Sequence, residues 1–184
     1  MRSYFALPLA IAIAFGLSAP AQAQSFSDYP KGRIDYYRVK GETPAEILSS
    51  IKRNSPGSIE PGDPAHATAF STFNWTMRPN GRRCRINLTL ELSVVFPRHT
   101  NARGLTGRAS DWWNRYSKAL EKHEAGHWRI SSETYPVLLK ALQSGPCSSA
   151  TTRGMAVLDD LRDRQEEYDR ITNHGEIDIS SVGL

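Results

Sequence analysis

Residues 111–134 read DWWNRYSKALEKHEAGHWRISSET. Within this stretch Trp112, Tyr116, Leu120, His123, His127, Ile130 and Thr134 recur at spacings of three and four. That period is one face of an α-helix. Ser110-Asp111 supplies a start, Pro136 a candidate kink, and Gly145-Pro146 a stop. Downstream, residues 150–171 read as a second helix, apolar at Met155, Leu158, Leu161, Tyr168 and Ile171 and charged elsewhere.

Upstream of the long helix the period changes to two. Ala67, Ala69, Phe73, Trp75 and Met77 alternate along one run, with Ser71 the single interruption. Asn80-Gly81 follows, the strongest short hairpin signal. Residues 84–96 then alternate again, with Ile86, Leu88, Leu90, Leu92 and Val94 facing in and Arg85, Asn87, Thr89, Glu91 and Ser93 facing out. Residues 33–40 predict a short strand, and Thr43-Pro44 with Glu46 predicts a capped helix carrying Ile47, Leu48 and Ile51. Prolines and glycines make residues 54–64 a loop, and a basic loop is expected over residues 97–108. The expected fold is α+β: an antiparallel sheet with a central hairpin, packed on the long helix and closed by the C-terminal one.

The chain has 184 residues, 39% apolar and 23% charged, with a net charge of +4. This suits one globular domain and excludes fibrous, disordered and multi-pass membrane proteins. So mild a charge gives no ground for a nucleic-acid partner. Arg2, the apolar run 4–17 and Ala21-Gln22-Ala23 have the layout of a secretory signal peptide cleaved after Ala23. The run is too short to span a bilayer, which takes about 20 residues. The expected organisation is a leader over 1–23 and a single exported domain over 24–184, without stable membrane insertion, periplasmic or secreted. Export makes a disulfide the expected state of Cys84 and Cys147, the only two cysteines.

His123-Glu124-Ala125-Gly126-His127 is an H-E-x-x-H motif inside the long helix. Residues i and i+4 share a helix face, with Cβ atoms about 5–6 Å apart. Two imidazoles so placed can converge on one Zn2+. Glu124 lies about 100° round the helix from His123, where it reaches a water without ligating the metal. It would take the proton of a water attacking a peptide carbonyl and return it to the leaving amine.

A hydrolytic zinc site needs a third protein ligand and one open position. The extended motif with a further histidine is absent, because its positions hold Ile130 and Glu133. His174, at the end of the second helix, is the leading candidate, and Glu166 or Glu167 are alternatives. That glutamate pair reads more simply as a solvated helix face. His66 and His99 fall in expected loops and read as surface residues, with His99 able to line a cleft.

Lys122-His123-Glu124-Ala125-Gly126-His127 together with Tyr168-Asp169-x-x-Thr172-x-His174-Gly175 carries a resemblance. The chain is similar, over roughly residues 33–176, to the bacterial family of unknown function described as predicted secreted zinc-dependent proteases. The resemblance implies a zincin-like site with His123, His127 and His174 as ligands and Glu124 as base. Tyr168 would then stand beside the metal as an oxyanion donor or serve as an interfacial aromatic. Asp169 would orient a ligand histidine or lie exposed.

The expected function is an exported zinc metallopeptidase acting on a peptide or protein substrate. One rival is an exported zinc-binding module without hydrolytic activity, which would tolerate loss of Glu124. The other is a helical interaction module whose motif is accidental, which would purify without metal.

Overall fold

A computed structural model describes residues 25–56, 65–81 and 83–175. The expected leader, residues 1–23, lies outside the described residues. Among them are three strands and three α-helices: β1 (Arg33–Val39), α1 (Pro44–Asn54), β2 (Thr68–Asn80), β3 (Arg83–His99), α2 (Gly107–Gln143) and α3 (Ala150–Thr172). The fold is mixed α+β. The sheet order is β1-β3-β2.

The hairpin forms where the alternation places it. β2 and β3 pair antiparallel from Thr68↔Val95 to Asn80↔Arg83, with Gly81 at φ +61° in the turn. In β3, Cys84, Leu88, Val94 and Phe96 are buried, while Arg85, Asn87, Thr89 and Glu91 are exposed. Met77 does not join the inward set. Everything from Thr76 to Asn80 is exposed.

The sheet is not wholly antiparallel as expected. β1 pairs parallel with β3, in register from Arg33↔Ser93 to Val39↔His99. A parallel pair needs a crossover of a dozen or more residues, usually helical. Here α1 lies within that crossover, and β2 follows it. The β1 pairing also lengthens β3 through Pro97 to His99, residues expected in a loop. Beyond Val95, β3 is paired on one side only among the described residues, the situation in which a strand accepts proline.

α1 starts as its sequence dictates. Thr43 Oγ1 accepts from the Glu46 N–H at 3.3 Å. The Glu46 carboxylate answers one residue early, accepting from the Glu42 N–H at 2.8 Å. Ile47 and Ile51 are fully buried. α2 begins at Gly107, earlier than expected, and continues through Pro136. Its sheet-facing side carries Trp112, Trp113, Tyr116, Leu120, Ala125 and Trp128 into one core with Val39, Val94 and Phe96. Phe26, from the short turn Phe26–Asp28, inserts between Phe96 and Trp128, with ring centroids 5.5 and 4.8 Å away. Trp128 is wholly buried and donates its indole N–H to the Ser93 carbonyl. That anchor sets the rotation of α2 and leaves His123 and His127 turned towards α3.

A second core gathers Leu88, Leu138, Leu142 and Ala150 around Cys84. Cys84 is joined to Cys147, as expected, tying the start of β3 to the α2–α3 connection. The bridge closes residues 63 apart in sequence. In the chain-entropy account a loop of that size stabilises the fold by about 4 kcal/mol.

Candidate metal centre

α3 runs back antiparallel along α2. Gly154 packs on Leu142, Arg164 reaches Thr134, and Tyr168 reaches His123. Met155 and Ile171, two of its expected core residues, are exposed. The face it turns to α2 is Leu158, Leu161, Gln165, Tyr168, Asp169 and Thr172, apolar at one end and polar at the other. The polar end meets the two histidines.

Three ligand atoms converge there. His123 Nε2 and His127 Nε2 lie 3.2 Å apart. Asp169 Oδ1 is 3.3 Å from the first and 3.0 Å from the second. Donors on a tetrahedral zinc with bonds of about 2.0–2.1 Å lie about 3.3–3.4 Å apart, so this triangle has the right edges. Among the described residues, His123, His127 and Asp169 form the group of metal-ligating side chains that can hold an ion; which metal is not fixed by the geometry.

The hydrogen bonds around the rings decide which nitrogens face inward. Gln165 Nε2 lies 3.1 Å from the His127 carbonyl, which only accepts, and 3.0 Å from Ser131 Oγ. The amide is therefore oriented with Oε1 towards His127 Nδ1, 2.6 Å away. His127 Nδ1 must carry the proton. Thr172 Oγ1 donates to the Tyr168 carbonyl at 2.7 Å, so its lone pairs face His123 Nδ1 at 3.3 Å. Each ring thus turns an Nε2 lone pair towards its neighbour and towards a carboxylate oxygen. Three acceptors at this range repel unless a positive charge lies among them, as a metal ion or as protons on the rings.

The electrostatics agree. Burial works to lower the His127 pKa but is outweighed by Asp169, Glu124 and Gln165, so the net direction is up. Burial would raise Asp169, yet its hydrogen bonds with His123 and His127 hold it well below the usual carboxylate range. Glu124 is only 4% exposed, and burial pushes its pKa up against the opposing pull of His123 and His127. The backbone N–H of Ala69, on β2, bonds its carboxylate. Glu124 therefore faces β2 while the histidines face α3.

The structure does not gather every residue singled out in the sequence. His174 follows the helix end at φ +51°, and its side chain is 69% exposed. Its Nδ1 lies 3.9 Å from Asp169 Oδ1, beside the triangle. Glu166 is exposed, and Glu167 is paired with Arg170 at the surface. His99 is not a surface residue: it ends β3, is buried, and bonds the Gly41 carbonyl through Nε2 at 2.9 Å. His66 is half-buried against Tyr116, whose hydroxyl lies 2.9 Å from its Nδ1.

Four residues stand out that the motif alone did not assign: Asp169, whose carboxylate could ligate an ion, and Gln165, Thr172 and Gly175, which support the rings. For Gln165, Asp169 and Thr172 the signal was the polar continuation of the Leu158–Leu161 stripe. Gly175, at φ +80°, lies against the His123 ring; a Cβ there would sit 2.9 Å from its Cγ.

Tyr168 acts as an interfacial aromatic. Its ring stacks on His123 with centroids 5.2 Å apart and meets His127 edge-on at 5.0 Å. Its hydroxyl donates to the His123 carbonyl at 3.3 Å. It approaches so closely because residue 126 has no side chain. A Cβ on Gly126 would fall inside the contact distance of the Tyr168 hydroxyl and ring. Gly126→Ala should therefore destabilise the protein by about 1–3 kcal/mol, the usual cost of overpacking. Helix propensity alone predicts a gain of about 1 kcal/mol. Thermal unfolding separates the two by sign, and a stabilised variant would show that Tyr168 is not wedged there.

The family comparison bears out the resemblance as far as a bacterial family of unknown function. No curated protein and no solved structure matches the chain. A family model described as "Bacterial protein of unknown function (DUF922)" matches residues 34–175, from β1 to the glycine that packs on His123. The chain belongs to this family of bacterial proteins of unknown function.

Proposed function

We propose that this chain is an exported zinc metallopeptidase, in which His123, His127 and Asp169 hold the ion and Glu124 is the general base. One observation carries the reading: two imidazoles with Nδ1 already engaged aim Nε2 lone pairs at each other and at a carboxylate, within 3.0–3.3 Å. A half-buried acceptor triangle costs free energy unless a positive charge lies within it, and a metal ion supplies that charge. Two nitrogens and one carboxylate oxygen suit zinc, and three protein ligands leave a position open for catalysis. The arrangement is zincin-like in its helix and its downstream carboxylate.

Bound zinc would supply Lewis-acid polarisation at the scissile carbonyl. The remaining chemistry belongs to the chain. Glu124 accepts a proton from the water as its oxygen bonds to the carbonyl carbon, and delivers that proton to the leaving nitrogen as the C–N bond of the tetrahedral adduct breaks. Burial suits Glu124 to this, because it raises the proton affinity of the carboxylate. Asp169 and the two histidines orient the site, and Tyr168 walls it from one side.

Export is supported by the signal-like leader and the Cys84–Cys147 disulfide, which is at home in an oxidising compartment. Among the described residues, no helix is long and apolar enough to cross a membrane.

The test is metal content and peptide hydrolysis of the processed protein, with and without chelator. One zinc per chain, and peptide cleavage that chelator stops and zinc restores, is the expected result. Zinc without cleavage of any peptide pool would leave a non-hydrolytic zinc-binding module. A protein that takes up no metal would sink both.

A further inference from the structure

We propose that Gln165, backed by Ser131 and Ser71, is a positioning relay that fixes the metal-binding tautomer and ring plane of His127; this rests on the metal-site reading above. The relay crosses three elements. Ser71 Oγ lies 2.7 Å from Ser131 Oγ, linking β2 to α2. Gln165 on α3 donates to Ser131 Oγ at 3.0 Å and to the His127 carbonyl at 3.1 Å. Its Oε1 then accepts from His127 Nδ1–H at 2.6 Å.

Both amide protons of Gln165 are thus used on oxygens, and its oxygen is used on the ring. Turning the amide over would set Oε1 against the His127 carbonyl, two acceptors face to face, and would set the NH2 against an Nδ1–H. The amide has one orientation, and so His127 has one neutral tautomer, the one with its lone pair on Nε2. Ligand histidines generally need such a partner on the distal nitrogen.

Ser71 explains an irregularity in the chain. It is the one polar residue in the inward set Ala67, Ala69, Ser71, Phe73 and Trp75 of an otherwise regular strand. An apolar side chain there would leave Ser131, which is fully buried, without its sheet-side partner. His123 is held less tightly by the same logic, through the longer 3.3 Å contact with Thr172. The relay therefore concentrates on the imidazole nearer to Asp169.

A purely structural role for this network predicts lower stability with unchanged affinity in the protein that remains folded. The relay predicts a change in affinity. Gln165→Leu keeps the bulk and loses the acceptor; Gln165→Glu keeps the acceptor; Ser131→Ala cuts the link to β2 without touching the ring. Zinc affinity is read by competition with a chromophoric chelator, on protein shown to be folded by circular dichroism. Imidazole 15N spectra of the metal-free protein, taken at a pH high enough for the ring to be neutral, report the His127 tautomer independently.

The expected result is affinity about 10–100-fold weaker in Gln165→Leu. Gln165→Glu keeps the acceptor for His127 Nδ1 but sets its second oxygen against the His127 carbonyl, so it should recover only part of that loss, and Ser131→Ala should lie nearer to wild type. The spectra should show a protonated Nδ1 in wild type and mixed tautomers in Gln165→Leu. Wild-type zinc affinity and an unchanged His127 spectrum in folded Gln165→Leu would overturn the relay alone. Wild-type protein that binds no zinc would overturn the metal reading beneath it.

Discussion

Asp169→Ala should weaken zinc binding by more than about 100-fold, and His174→Ala should leave it within a few-fold of wild type. Removing a partner that merely orients a ligand typically costs about 10–100-fold in affinity, so removing a ligand atom should cost more. Asp169 Oδ1 touches both ligand nitrogens, at 3.0 and 3.3 Å. His174 reaches the same oxygen only at 3.9 Å, through an exposed side chain that pays rotamer entropy for any closer engagement. The variants also differ in charge. Asp169→Ala removes the carboxylate that would offset the charge of an ion held between the rings, whereas His174→Ala removes a group outside the triangle. Isothermal titration of the folded variants decides the matter. Retained affinity in Asp169→Ala with lost affinity in His174→Ala would give the third ligand to His174, which the tail following Thr172 would then have to carry inward.

How much of this was visible in the chain depends on how local each feature is. His123, Glu124 and His127 were legible because their geometry lies within one helix, where four residues fix both distance and direction. The hairpin was legible for the same reason: alternation and Asn80-Gly81 set its register without help from elsewhere. The parallel pairing of β1 was not, because it depends on where the long connection over residues 40–82 returns, and no periodicity within β1 encodes its partner. The sequence offers Asp169 as an orienting or exposed residue rather than as a ligand, for a rotational reason. His174 lies five positions beyond it, and the helix ends between them at Thr172. Asp169 therefore faces α2, while Asn173 and His174, at φ +50° and +51°, turn the chain and carry the imidazole outward. Residue type favoured His174; the place where the helix stops favours Asp169. His99 was misread similarly. Its burial follows from the β1 pairing that extends β3, a contact invisible from its own neighbours.

Glu124→Gln should retain zinc, keep or slightly raise thermal stability, and lose peptide hydrolysis by about 10²–10⁴-fold, the span ascribed to general acid–base catalysis. Each outcome has its own cause. Zinc stays because Glu124 is not among the three atoms that converge, and faces the Ala69 N–H instead. Stability holds because the substitution keeps the volume of a side chain only 4% exposed, and keeps an oxygen for that N–H. It also removes a carboxylate whose charged form burial disfavours. Glu124→Ala is the poorer experiment, since a cavity beside β2 would lower stability and disturb the histidines for reasons unrelated to proton transfer. Hydrolysis fails in Glu124→Gln because an amide cannot take a proton from water at neutral pH. The pattern that supports Glu124 as base is therefore full metal, intact folding and lost turnover in one variant. Loss of metal would make Glu124 a ligand. Undiminished turnover would move the base elsewhere, and the buried glutamate beside the two histidines would then need a different explanation.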